Sequence, residues 1–301
     1  MTSTTADRVA VAPPRFGSNA ATLIRRNLRI YFRDKTAVFL SLLSPVILLF
    51  LYLLFLGSLQ VNSVAREVPQ AATGDISAFV NAWVFAGMIA ITPFTTAFAA
   101  MGSFVDDKAT GRFREFRVSP LKETDLIIGY LGAGFIVAVL MTSVLLGAGV
   151  TFLSLVTGVS FTVGGVAQAF GLILLLSLAY SAVGAFILTF VGSSAGYTAV
   201  STVIGTILGF LAGVYLPIGM LGRAVADGLN LLPFSPAAML VRGPLVAGPR
   251  DTLAAAAGPG SQQTIDAINA EYGFTLFVGG VQLQPAWVVI GLFVVAVVFT
   301  A

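Results

Sequence analysis

The sequence predicts an all-α polytopic membrane protein: six transmembrane helices and an N-terminal interfacial helix. Three observations predict it. Of 301 residues, 57% are hydrophobic and only 10% are charged, against ~25% charged in an average soluble domain. A water-soluble fold of this size could not cover its surface with so few polar groups. No Asp, Glu, Lys or Arg occurs anywhere in 126–222, a stretch several times the ~20 residues that cross a bilayer once. Cysteine and histidine are both absent, which excludes disulfide frameworks, ordinary zinc sites and Ser-His-Asp or Cys-His catalysis. We therefore assign no catalytic residue and no metal site.

Residues 1–17 are small, polar and proline-containing, and predict a disordered tail. They do not read as a cleavable signal, because the first apolar run starts only at Ala37 and no convincing small-residue cleavage site follows it. Residues 18–36 predict an amphipathic helix. At a helical period Leu23, Ile24, Leu28, Ile30, Tyr31 and Phe32 share one arc, while Arg25, Arg26, Arg29 and Arg33 share the other. Asn27 is the only polar intruder. Such a helix lies in the membrane interface, with apolar residues at the acyl boundary and arginines toward headgroups and water. The alternative is a plain juxtamembrane basic flank.

The membrane domain occupies 37–301. Its six apolar runs are 37–59, 79–105, 126–156, 163–191, 197–216 and 286–301. The third and fourth exceed what a ~30 Å hydrocarbon layer requires, so they tilt or protrude. The sixth stops at 16 residues with no basic residue after it, so we expect the helix and a basic tail to continue past Ala301. Orientation follows from the basic residues. Arg8, Arg15, Arg25, Arg26, Arg29, Arg33 and Lys35 precede the first run, and Lys108, Arg112, Arg114, Arg117 and Lys122 lie between the second and third. Placing both segments in the cytoplasm leaves only Arg66, Arg223, Arg242 and Arg250 outside, and puts both termini inside a cell (inner or cytoplasmic) membrane.

The segment 106–125 is the most informative. It holds five acidic and five basic residues between two nearly charge-free runs. Phe113 and Phe116, three apart, share one face of a short helix that Pro120 stops; Ser119, before the proline, is biased to extended geometry. One reading is a helix that docks on a soluble partner; the other is a solvated loop whose phenylalanines dip back into the bilayer.

Here the sequence resembles the permeases of the type-2 ATP-binding-cassette (ABC) family. Gly111-Arg112-Phe113-Arg114-Glu115-Phe116-Arg117-Val118-Ser119-Pro120 is similar to the family's "G-T-hydrophobic-E-x-hydrophobic-x-V-S-P" signature, with departures at Arg112 and Arg114. In that family the motif forms the coupling helix in the cytoplasmic loop after the second span. Ile128-Gly129-Tyr130 resembles the start of the family's third span. Gly213-Val214-Tyr215-Leu216-Pro217 resembles the end of its fifth. Leu232-Pro233 and Leu240-Val241-Arg242 resemble its two short re-entrant helices. The resemblance implies a membrane-spanning permease subunit of a drug- or lipid-type exporter, working as half of a homodimer or heterodimer. It implies a separate cytoplasmic ATPase that docks on Gly111, Phe113, Arg114, Glu115, Phe116, Ser119 and Pro120. ATP and Mg²⁺ would sit on that partner: no lysine follows a glycine here, so a P-loop is absent.

In the fifth run Gly205, Gly209 and Gly213 stand four apart and predict close helix packing, with a homodimer seam as one form of it; chance in a glycine-rich chain is the alternative. The family likeness implies that the second and fifth spans line the pathway. Thr92, Thr95 and Thr96 flank Pro93 in the second run, and we expect their hydroxyls to bond the preceding turn. In the external segment, 217–285, we expect a short helix at 261–272. A β-hairpin should follow, with Phe274–Val278 and Val281–Gln284 joined at Gly279-Gly280. No carboxylate or histidine lies mid-membrane, which argues against proton-coupled transport. The leading reading is thus an ATP-driven exporter of an amphipathic substrate (drug, lipid or lipid-linked molecule) whose partners are an ABC ATPase, a second permease and the bilayer, without nucleic acid. A channel or secondary carrier, and a non-transporting membrane assembly factor, are the alternatives.

Overall fold

The computed structural model describes residues 18–117, 121–258 and 262–299. The expected tail at 1–17, and Val118, Ser119 and Pro120 of the signature, lie outside the described residues, as does the side chain of Phe116.

The chain is helical almost throughout. Helix α1 is Ser18–Arg33. The first span is one rod over Lys35–Glu67, made of α2 (Lys35–Leu51), a π turn (Tyr52–Leu56) and α3 (Gly57–Glu67). The Asp34 carboxylate starts it by accepting the Ala37 N–H at 2.9 Å. The second span is α4 (Thr73–Ala100), continued past Met101 by the short α5 (Gly102–Ala109). Next come α6 (Arg112–Arg117), α7 (Glu123–Val156), α8 (Val163–Thr189) and α9 (Ser194–Leu211). Thr162 and Ser193 cap α8 and α9 by accepting from Gly165 and Gly196. At ~1.5 Å per residue α7 is ~51 Å long, well beyond one hydrocarbon layer.

Among the described residues five helices are long and apolar enough to cross a membrane, and a sixth if a bent pair is counted as one span. That pair is α10 (Arg223–Asn230) and α11 (Phe234–Ala257), bent by 83° at Leu231–Pro233. The two re-entrant pieces expected around Leu232 and Arg242 are therefore one short helix and one of 24 residues. Helix α12 (Gln262–Glu271) falls where a short helix was expected. The hairpin, β1 (Phe277–Val278) with β2 (Val281–Gln282), is shorter than expected but keeps its register, Val278 opposite Val281. Both turn glycines have positive φ (58° and 86°), as a two-residue hairpin turn requires. The last helix is α13 (Pro285–Val298), apolar but with 14 residues shorter than these spans, so the sixth expected run is not a full span here.

Helix α4 is the hub. It packs chiefly on α11, α7 and α8, and its aromatics bind the layers together. Phe79 and Trp83 meet Tyr272 edge-on, while Phe94 meets both Tyr180 and Phe234. The outer helices differ sharply from it. In the most apolar stretch of each helix, 89% of α4–α5 is buried, against 12% of the first span and 11% of α9. The first and fifth spans therefore keep broad apolar faces that this chain does not cover.

Candidate coupling site and transport cleft

The site at the charged end of the bundle is built on three consecutive residues of α5, where the apolar α4 gives way to Asp106-Asp107-Lys108. Each makes a bond to a different part of the fold. The side chain of Asp107 is only 2% exposed and accepts four hydrogen bonds. Arg26 of α1 reaches it with both arms, Nη1 to Oδ2 at 2.7 Å and Nη2 to Oδ1 at 2.9 Å. Arg112, at the head of α6, donates to Oδ1 at 3.1 Å. The Tyr130 hydroxyl of α7 donates to Oδ2 at 2.7 Å. The Arg26 proton is held above the ordinary arginine value, chiefly by the hydrogen bond to Asp107. Asp106 accepts from the Ser194 hydroxyl at the start of α9, at 2.9 Å. Lys108 donates to the Thr189 and Val191 carbonyls at the end of α8, at 2.8 and 3.1 Å. One turn of helix is thus tied to α1, α6, α7, α8 and α9, and α5 is itself the continuation of the central α4.

Charge–charge and ring packing act together here. Phe113, expected to face a partner together with Phe116, instead lies half-buried on its own fold. It is edge-on to Phe104 at 5.4 Å and stacked near Tyr130 at 6.3 Å. The outward groups of α6 are Arg114 and Glu115, both exposed. Gly111, at φ 76°, makes the left-handed turn that swings α6 away from α5.

Helix α1 packs on α7. Leu23, Asn27 and Tyr31, spaced four apart, are buried against α7. The expected apolar arc is therefore split: Leu23 and Tyr31 pack on protein, while Ile30 and Phe32 stay exposed. Asn27, the polar intruder, lies at the centre of the packed face. Its amide donates to the Gly129 carbonyl at 3.2 Å and accepts from Arg26 at 3.0 Å. Gly129 is required there: a Cβ on it would stand 2.6 Å from the Leu23 Cβ. Of the four arginines, Arg26 turns inward while Arg25, Arg29 and Arg33 are exposed.

The second feature is a cleft between α2, α4 and α9. It is formed of two adjoining cavities of about 360 and 370 Å³. Polar groups Ser41, Thr95, Tyr197 and Ser201 line one part, with Pro45, Leu48, Ile91 and Tyr215 in the other. Thr92, Thr95 and Thr96 bond backbone carbonyls of the preceding turn at 2.7–3.0 Å, as expected. Only Thr95 and Thr92 border the cleft.

The three glycines of the fifth span do not form one seam. A Cβ added at Gly205 would have nothing within 4 Å, and this glycine opens on the cleft, while Gly209 makes room for the Tyr215 ring. Gly213 lies beyond the helix, at φ 61° in the turn after Leu211. Within the chain, Gly209 allows the close approach of Tyr215 and Gly213 that of Ile218.

Asp107 is not among the residues that the sequence pattern marks, which lie further on, at Gly111–Pro120. The signal was present: a carboxylate directly following a long apolar helix must find donors or remain in water. Which arginine would meet it could not be read, because Arg26 is 81 residues away.

The chain is a bundle of long apolar helices with a charged end and a cleft between three of its helices. The description ABC-2 type transporter fits residues 19–245, and the chain belongs to that family. No curated protein shows a significant match. Membership makes this chain the membrane-spanning part of an ABC-type transporter, one that carries no ATPase site of its own.

Proposed function

We propose that the chain is the permease subunit of an ATP-driven exporter, moving an amphipathic drug, lipid or lipid-linked molecule out of the cell. A separate ABC ATPase, which binds the ATP and Mg²⁺, docks at the end formed by α1, α5 and α6. Twelve of the sixteen basic residues assigned by the positive-inside bias favour placing that end, and both termini, in the cytoplasm. Arg114 and Glu115 of α6 and Arg25, Arg29 and Arg33 of α1 offer the partner exposed charged side chains.

The observation that carries this reading is the anchorage of Asp107. A push on α6 or α1 reaches α5 through one buried carboxylate, and α5 prolongs the most buried helix of the bundle. Displacement of α6 would therefore move α4 as a rigid element, the kind of body whose reorientation switches access. The exposed faces of the first and fifth spans are the surfaces on which a second permease, identical or similar, would close the pathway, with the Thr95 cleft facing it. The cleft's mixture of hydroxyls and apolar walls suits an amphipathic cargo.

The test is reconstitution with the ATPase. Substrate-stimulated ATP turnover and efflux are expected, and both should collapse in Asp107→Asn and in the Phe113→Asp/Phe116→Asp variant. Efflux that persists without the ATPase, or that survives these substitutions, would sink the assignment.

A further inference from the structure

At the opposite end of the bundle, α9 ends at Leu211 and the chain turns through Gly213 toward Pro217. The last-turn carbonyls of Leu208, Gly209 and Phe210 accept backbone N–H groups of the turn that follows. The next four carbonyls, 212–215, are taken up by two side chains from other helices. Arg242 of α11 donates through Nη2 to the Ala212 and Gly213 carbonyls, at 3.2 and 2.7 Å. The Tyr52 hydroxyl, at the head of the π turn, reaches the Val214 and Tyr215 carbonyls, both at 2.7 Å.

Both side chains are buried, Arg242 completely. Both also rest on Trp83 of α4: the guanidinium sits over its ring at 5.0 Å, and the phenol meets it edge-on at 6.4 Å. The Trp83 indole is in turn fixed by donating to the Tyr272 carbonyl at 2.7 Å.

We propose that Tyr52 and Arg242 form a latch that holds the outer end of the fifth span closed, and that opening the pathway on that side requires both to release the 212–215 turn. This rests on the permease reading above. Three features support it. First, α9 is mostly uncovered along its length, and its buried residues, Leu208 and Gly209, lie at this end beside the turn. Second, the latch is incompletely bonded. The phenol has one proton for two carbonyls, and Arg242 Nε and Nη1 have no protein partner among the described residues. A buried cation left so is expensive for stability alone, and is easily exchanged for other partners when the turn moves. Third, the latch is connected at both sides. Tyr215, whose carbonyl it holds, covers Gly209 and lines the transport cleft. Trp83 lies on the helix that continues into α5, so the coupling end and the latch share one rigid element. The π turn fits the role, since such turns concentrate at functional positions.

The native chain has no cysteine, so one introduced thiol reports without background. Val214→Cys places it in the turn, where the native side chain is fully buried while the latch is closed, and Val281→Cys places a control on the exposed hairpin. Intact cells of the host, energised or depleted of ATP, are treated with a membrane-impermeant maleimide. With the latch native, Cys at 214 should label slowly after depletion and faster when energised. In Tyr52→Phe it should label about fivefold faster after depletion, the scale of one lost hydrogen bond. Adding Arg242→Gln should abolish the difference between the two states. The control position should be unaffected throughout. Slow labelling in Tyr52→Phe and in Arg242→Lys (the milder change, should Arg242→Gln not fold) overturns the latch. Equal acceleration at both reporter positions also overturns it, because the role is then general stability. If the variants accelerate labelling but the native latch shows no response to ATP, the latch stands and the permease reading falls.

Discussion

The two arms of Arg26 close on the two oxygens of Asp107, at 2.7 and 2.9 Å, and join the first helix of the chain to the end of its second span. The carboxylate is almost fully enclosed, while the guanidinium keeps 29% of its surface. Removing the carboxylate charge leaves Arg26 and Arg112 facing each other with no anion between them. Asp107→Asn should therefore cost about 2–3 kcal/mol, toward the low side of broken buried pairs because Arg26 can still reach water. Thermal unfolding of the purified protein measures this. Arg26→Lys should lose the paired geometry and show a smaller version of the same effect.

The contact of α1 with α7 gives a pair of contrasting substitutions. Gly129→Ala places a methyl 2.6 Å from the Leu23 Cβ, which cannot rotate away. The helix must shift, with an expected loss of about 1–3 kcal/mol. Truncating Leu23 to Ala should not restore it, because the Cβ remains. Gly132→Ala meets the Cδ1 and Cγ1 atoms of Ile24, at 2.7 and 3.0 Å, on a half-buried side chain that can turn aside, and should cost less. Melting temperatures of the three variants decide the matter.

Gly205 opens on the cleft with nothing near it, so Gly205→Phe has room to fold. Stability should change by no more than about 0.5 kcal/mol, as for other substitutions that touch nothing. Efflux should nevertheless fall, because the ring occupies the cleft and the uncovered face of α9. A variant that keeps full efflux would remove the cleft from the pathway.

Glu271 gives a pH dependence. Burial, then the nearby Glu67 carboxylate, raises its pKa above the ordinary 4.5. Between the ordinary and the raised value the folded state binds more protons than the unfolded one, so this contribution to stability is greatest at the acid side of that window. It is lost as pH rises through the folded value. Melting temperature should therefore increase as pH is lowered from neutral toward the ordinary carboxylate range. Glu271→Gln should be more stable than the native protein at neutral pH and should lose this dependence.

The helices were legible because a bilayer-spanning segment is marked by composition alone: the charge-free stretch 126–222 covers α8, α9 and nearly all of α7. Boundaries drifted where local bonding, not hydropathy, ends a helix. The apolar run 197–216 continues past Leu211, but Gly213 turns the chain there. Hydropathy also concealed α11, whose Pro244, Pro249, Arg242 and Arg250 interrupt the pattern of a span although the helix runs unbroken through them.

Arg242 shows the difference most clearly. Counting basic residues placed it among the few outside, and the family likeness put it in a short re-entrant helix; neither told that it is completely buried and holds the turn after α9. What the sequence determined by itself was the environment: a chain this apolar, with its charges gathered before the first run and after the second, must cross a membrane and keep one charged end. What only the tertiary structure decided was pairing. Arg26 finds Asp107, and Tyr52 and Arg242 find four carbonyls 29 or more residues away. Hydropathy is a property of each residue in its solvent and can be summed along a chain. A hydrogen bond between distant side chains depends on the angles at which helices cross, and these are set only when the whole bundle packs.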